Sequence, residues 1–269
     1  MKKILLKNLG KSLKQVRLKL LVPDMLYFML GILLVYLFGA YTELSLISQE
    51  EIYLKLTENF SKFVGSLVTM LLIGFFVGAR LKSFKMYMAL KASRNEKFHL
   101  IESYKSSAKF FWRVVSLKVM SFLLLLIGFT LALMAYVLLE KIHEVMASVV
   151  AVIIIITVFL ALFFRDAALF NEDTKPQSAI AKSYRLFKKK LSYVFVVSLI
   201  ILIMNFIFVS AISYLPENQG MKGSLLSWGY VIILFLISIW TQLFIFNIYA
   251  ALKGKNITQT TSKKRKSKL

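Results

Sequence analysis

Residues 145–164 read VMASVVAVIIIITVFLALFF, and residues 165–190 read RDAALFNEDTKPQSAIAKSYRLFKKK. The first string runs for twenty residues without a charge. At about 1.5 Å per residue, a helix of that length crosses the roughly 30 Å hydrocarbon core of a bilayer. The second string opens on Arg165 and Asp166 and carries seven lysines and arginines. An uncharged run that long, closed by a basic segment, is the mark of a membrane span and its flank.

The pattern recurs on both sides. Uncharged runs cover Met25 to Thr42, Phe63 to Ala79, Val119 to Leu139, Leu191 to Pro216 and Gly223 to Leu252. Flanking residues extend the shorter ones. The predicted spans are therefore 24–42, 63–80, 114–139, 145–166, 192–215 and 226–252. The expected fold is all-α: a polytopic bundle of six transmembrane helices with amphipathic interfacial helices. A basic segment at 1–22 precedes it, and a basic, disordered cytoplasmic tail at 253–269 follows.

Composition agrees. Of 269 residues, 58% are hydrophobic and only 18% are charged, with a mean hydropathy of +0.71. Soluble domains are nearer a quarter charged. The net charge of +22 sits between the apolar runs. Thirty of the thirty-five lysines and arginines fall in four alternate segments: 1–22, 80–113, 165–190 and 253–269. The opposite segments hold only Lys55, Lys62, Lys141 and Lys222, and Lys118 lies within the third span. The positive-inside rule then places both termini in the cytoplasm of a cell-membrane protein. Charge flanking spans serves topology and anionic headgroups, so the expected partner is a bilayer with anionic headgroups, not nucleic acid. A membrane or cytoplasmic protein partner stays open. With no small-residue cleavage site after a short apolar stretch, the first span is expected to act as an uncleaved signal-anchor.

Tyr41, Tyr214, Trp228 and Tyr230 fall near the outer interface, and Trp112, Tyr193 and Tyr249 near the inner one, where amphipathic rings settle. Pro23, Pro176 and Pro216 all avoid span centres.

Several segments look interfacial. Leu5, Leu9, Leu13, Val16 and Leu20 repeat at helical spacing, with Lys7, Lys11 and Lys14 on another face. This reads either as a basic amphipathic helix on the inner interface or as a solvated, topology-setting leader. Ser48 to Glu51 form a capping box ahead of Ile52, Leu56, Phe60 and Phe63. Glu50 and Glu51 fit a helix start better than a catalytic pair. On the inner side, Ser103-Tyr104-Lys105 parallels Ser183-Tyr184-Arg185, each in a short amphipathic stretch entering a span. The parallel suggests that spans two and three repeat as four and five. Chance similarity of interface segments gives the same words.

Chemistry-bearing residues are few. Cysteine is absent, which excludes disulfides and thiolate sites. The two histidines, His99 and His143, are predicted on opposite sides. There is no P-loop, dinucleotide fingerprint, HExxH, nucleophile elbow or zinc spacing, so no cofactor, metal or catalytic residue is expected and the chain reads as a non-enzyme. Intramembrane polar residues mark functional candidates: Asn205, Gln242, Asn247 and Lys118, with Thr241 beside them. The plainer reading is hydrogen bonding between helices. Arg165, Asp166, Glu172 and Asp173 form a candidate inner-interface cluster. Gly74 and Gly78 form a GxxxG expected to pack helices, and Gly128 and Ala132 a looser small-xxx-small pair. Asn256-Ile257-Thr258 matches a glycosylation sequon on the predicted cytoplasmic side, and Lys263 to Lys266 form a basic cluster.

The stretch Leu162-Phe163-Phe164-Arg165-Asp166, then Asn171-Glu172-Asp173, then Ala179-Ile180-Ala181-Lys182-Ser183-Tyr184-Arg185-Leu186-Phe187-Lys188, resembles uncharacterised prokaryotic six-span membrane proteins. It also resembles the membrane domain attached to some glycerophosphodiester phosphodiesterases. The resemblance implies a span ending in an acidic loop and a helix leading into the next span. The soluble phosphodiesterase barrel has no room in this chain, so that activity does not carry over. Three functions follow in order: action through lipid or protein interactions, a transporter or permease-like subunit, and a lipid-modifying enzyme.

Overall fold

The computed structural model describes residues 2–42, 60–212 and 220–253. The outer segment from Ser48 to Leu56, Tyr214, Pro216 and the tail beyond Lys253 lie outside them. Helix dominates the described residues, which contain no strand. In order come α1 (Lys2–Gln15), a 3-10 turn (Leu18–Leu21), α2 (Val22–Thr42), α3 (Phe60–Ser93), α4 (Leu100–Ser107), α5 (Phe111–Glu140), α6 (Glu144–Leu162), α7 (Arg165–Glu172), α8 (Pro176–Lys189), α9 (Leu191–Ile212) and α10 (Gly220–Leu252).

Five of the described stretches are long and apolar enough to cross a membrane: the α2 region, α3, α4–α5 together, α6–α7 and α10. α8 and α9, bent by 105° at their junction, make a sixth when the pair is counted as one span. Lipid leaves no water for stray backbone groups, so helices that satisfy themselves are the natural way across. Leu123, Leu126, Ile153 and Leu202 are all exposed on the outside of the bundle.

The second span departs from expectation. α3 runs on to Ser93, thirteen residues past the predicted end at 80. The basic residues of 80–91 interrupt the apolar run but not the helix, because Leu81, Phe84, Met88, Ala89 and Ala92 between them are buried. The helix stops at Asn95, whose φ of 57° is left-handed, a conformation asparagine tolerates.

The core is not at mid-span. Phe84, Met88, Phe110, Phe164, Phe170, Phe244 and Tyr249 are buried together where α3, α5, α6 and α10 reach their lysine-rich ends and meet α1, α7 and α8. Phe110 and Phe170 lie 4.5 Å apart by ring centroid. Elsewhere, small residues permit close helix approach. Gly128 on α5 faces Val158 on α6, and a Cβ there would sit 2.8 Å from Val158 Cγ2. Gly74 and Gly78 face Leu34 and Tyr27 of α2, so the GxxxG packs within one chain.

The suspected duplication is unequal. Ser103 and Ser183 are both fully buried, and Tyr104 and Tyr184 are both exposed. Yet α4 continues into α5 as one run from Leu100 to Glu140, whereas α8 turns sharply into α9.

Candidate functional site

The lysine-rich end is built from short helices locked to span ends. Ser183 on α8 is the key to one joint. The α6 helix ends at Leu162 and α7 starts at Arg165, so backbone groups there lose their partners. The Ser183 hydroxyl accepts from the Phe164 N–H at 3.0 Å and donates to the Ala161 carbonyl at 2.7 Å. That is a physical role for the serine in the AIAKSYRLFK stretch.

α1 docks with its polar side inward. Asn8, Ser12 and Gln15 are buried. Asn247 of α10 donates to the Ser12 hydroxyl at 3.0 Å and to Gln15 Oε1 at 2.8 Å. Gln15 in turn donates to the Ser93 carbonyl at 3.2 Å and to Asn95 Oδ1 at 2.9 Å. Of the five residues expected on one apolar face, Leu20 is buried, and Leu5, Leu9 and Val16 pack at the core's edge. Leu13 points outward at 57% exposure, joined by Ile4, Leu6 and Leu18. Buried amides need partners far more than leucines need cover, so the polar strip decides the docking face.

The expected inner-interface cluster does not converge. Asp166 pairs with Lys82 of α3 at 2.9 Å. Glu172 takes Lys182 at 2.8 Å, Lys253 at 2.6 Å and the Tyr249 hydroxyl at 2.5 Å. Asp173, in a left-handed C-cap conformation, takes Lys109 at 3.0 Å and also Arg113. Hydrogen bonding from Lys109, then from Arg113, outweighs partial burial and holds the Asp173 carboxyl below its ordinary value of 3.8. Each acid is claimed by its own cations, which fasten α7 to α3, α8, α10 and the start of α5. No acid of this group is left facing another, and no group of three or more metal-ligating side chains occurs among the described residues.

The intramembrane candidates separate likewise. Asn205 is exposed and donates to the Ile201 carbonyl of its own helix at 2.7 Å. Lys118, Gln242 and Asp166, by contrast, meet in one cleft of about 270 Å³ between α2, α3, α5, α7 and α10. Asp24 and Lys85 join them, paired at 2.7 Å, with Lys85 also donating to Ser238 at 2.7 Å. Sequence reasoning missed Asp24, Lys82 and Lys85. The signal was present: Lys82 and Lys85 lie three apart, one side of a helix, and Asp24 stands alone at the start of a span.

No family model, no curated protein and no solved structure matches this chain.

Proposed function

We propose that this chain is a non-enzymatic, multi-pass protein of the cell membrane, with both termini cytoplasmic, that acts by engaging anionic lipid at its lysine-rich end. The observation that carries this is the orientation of α1. Its polar strip is spent on α10 and the end of α3, so Ile4, Leu6, Leu13 and Leu18 face outward. Lys7, Lys14, Arg17 and Lys19 are exposed among them. Apolar side chains interleaved with lysine and arginine on a helix docked at the lysine-rich ends of the spans suit the headgroup and acyl boundary of an anionic leaflet. The charge distribution across the six spans supports the orientation.

The absence of cysteine allows a clean test. Leu13→Cys, labelled with an environment-sensitive dye and placed in nanodiscs containing phosphatidylglycerol, is expected to show blue-shifted emission that lipid-borne quenchers reduce. Emission at the aqueous position, untouched by those quenchers, overturns the proposal.

A permease-like subunit is the second reading, and the charged cleft between spans favours it. Substrate uptake that survives Gln242→Leu unchanged counts against it. A lipid-modifying enzyme ranks third, weakened by the dispersal of Arg165, Asp166, Glu172 and Asp173 to separate partners.

A further inference from the structure

The cleft between α2, α3, α5, α7 and α10 has a charge imbalance. Three lysines line it, Lys82, Lys85 and Lys118, against two aspartates, Asp24 and Asp166. Lys82 and Lys85 each have an aspartate partner. Lys118 has no ion pair within 4.0 Å among the described residues; its ammonium lies over the Phe75 ring at 5.3 Å and beside Gly78. Asp166 attracts it only from beyond ion-pair distance, and a half-buried cation between spans that is so incompletely compensated is costly. The aspartates have a complementary need. Asp24 Oδ2 and Asp166 Oδ1 are buried and accept no hydrogen bond from the described residues, so each can take a further donor.

The cleft thus offers one surplus positive charge and two free acceptors. The geometry points to a binding site for a phosphodiester bearing a single negative charge and hydroxyl donors on its headgroup. The phosphate would sit against Lys118, and the hydroxyls would serve Asp24 and Asp166. A phosphomonoester carries about two charges at neutral pH and overcompensates. A zwitterionic headgroup brings no net charge and leaves the surplus in place. A small soluble phosphodiester has the same chemistry as a phospholipid headgroup. The lipid is favoured because Tyr27, on the cleft's rim, is 54% exposed on the outside of the bundle and the residues concerned lie within or beside spans.

This proposal rests on the reading of the chain as a lipid-engaging protein, but not on α1, so the two fail separately. The full chain is purified in neutral detergent, and retained lipid is identified by native mass spectrometry after exposure to phosphatidylglycerol, phosphatidylethanolamine or phosphatidylcholine. One phosphatidylglycerol per chain is expected to survive, with a raised melting temperature. Lys118→Gln is expected to weaken its retention roughly tenfold. Lys118→Arg, which keeps the charge, is expected to retain it and serves as the folding control. Equal retention of phosphatidylcholine, or undiminished retention by Lys118→Gln, overturns the site. Stabilisation by glycerophosphoglycerol alone to the same degree as by the lipid keeps the site but overturns its assignment to a lipid. Removing the exposed charges of α1, with Lys7→Gln and Lys14→Gln, leaves this tightly held molecule in place if the two sites are distinct.

Discussion

The Tyr249 hydroxyl donates to the Glu172 carboxylate at 2.5 Å, joining the end of the last span to the end of a short helix 77 residues earlier. Glu172 also holds Lys182 and Lys253, so one carboxylate ties α7, α8 and the residue following α10. Hydrogen bonds to a charged group contribute about 1.5–3 kcal/mol each. Tyr249→Phe should cost stability in that range, and Glu172→Gln should cost more, since it leaves two ammonium groups without their counter-charge. Melting temperatures of the single and double variants in one detergent give the coupling. Additive effects would mean that the two side chains do not interact.

Asn247 and Asn205 make an opposed pair. Asn247 is buried and serves α1, whereas Asn205 is exposed and serves its own helix. Asn247→Leu should destabilise by about 1–3 kcal/mol by stranding the polar face of α1. It should also speed amide hydrogen exchange over 2–21 ahead of the spans. Asn205→Leu should change neither quantity beyond about 0.5 kcal/mol. Equal exchange in the two variants would remove the docking role given to Asn247.

Helix packing separates two glycines that look equivalent in sequence. A Cβ at Gly78 meets the Tyr27 ring edge at 2.9 Å, and that exposed ring can swing away. A Cβ at Gly128 meets three atoms of Val158 at 2.8 to 3.3 Å, and valine is stiff at χ1. Overpacking costs about 1–3 kcal/mol, against roughly 1 kcal/mol gained by replacing a helical glycine. Gly128→Ala should therefore lower the melting temperature, and Gly78→Ala should leave it unchanged or raise it.

Asp173 gives a pH dependence with a definite sign. Its folded value lies below the ordinary 3.8 because Lys109 and Arg113 hold the charged form. Its contribution is therefore present above the ordinary value and lost as pH falls through the folded one. The stability gap between the wild type and Asp173→Asn should be full at neutral pH and close in strong acid. A gap that is constant across the acid range would show that the ion pairs with Lys109 and Arg113 contribute nothing.

The long apolar helices were legible because lipid imposes a length and a composition that few other environments demand: Val145 to Phe164 lies within a described stretch long and apolar enough to cross a membrane. Boundaries were less so. Arg80, Lys82, Lys85 and Lys91 end the hydropathy of α3 without ending its helix, since the residues between them bury against short helices that only the fold brings near. The polar strip of α1 was harder to read for a related reason. Leucine spacing is visible in the string, but the partners of Ser12 and Gln15 lie on α10 and at the end of α3. The cleft could be read only in fragments. Lys118, Asp166 and Gln242 stood out as polar residues in apolar surroundings, while Lys82 and Lys85 were absorbed into a basic flank. The acidic group at 165–173 was overread, because closeness in sequence said nothing of how α7 sends each carboxylate to a different neighbour.

The closure of α1 onto α10 sets an order of assembly. Ser12 and Gln15 are synthesised well before their partner Asn247, which lies 235 and 232 positions later. Until α10 has been made, α1 has no native seat on it. It docks only after α10 is in place, which makes that contact a record of α10's arrival. A chain stalled short of Asn247 lacks the amide that donates to Ser12 and Gln15, a difference that proteolysis of truncated chains would register.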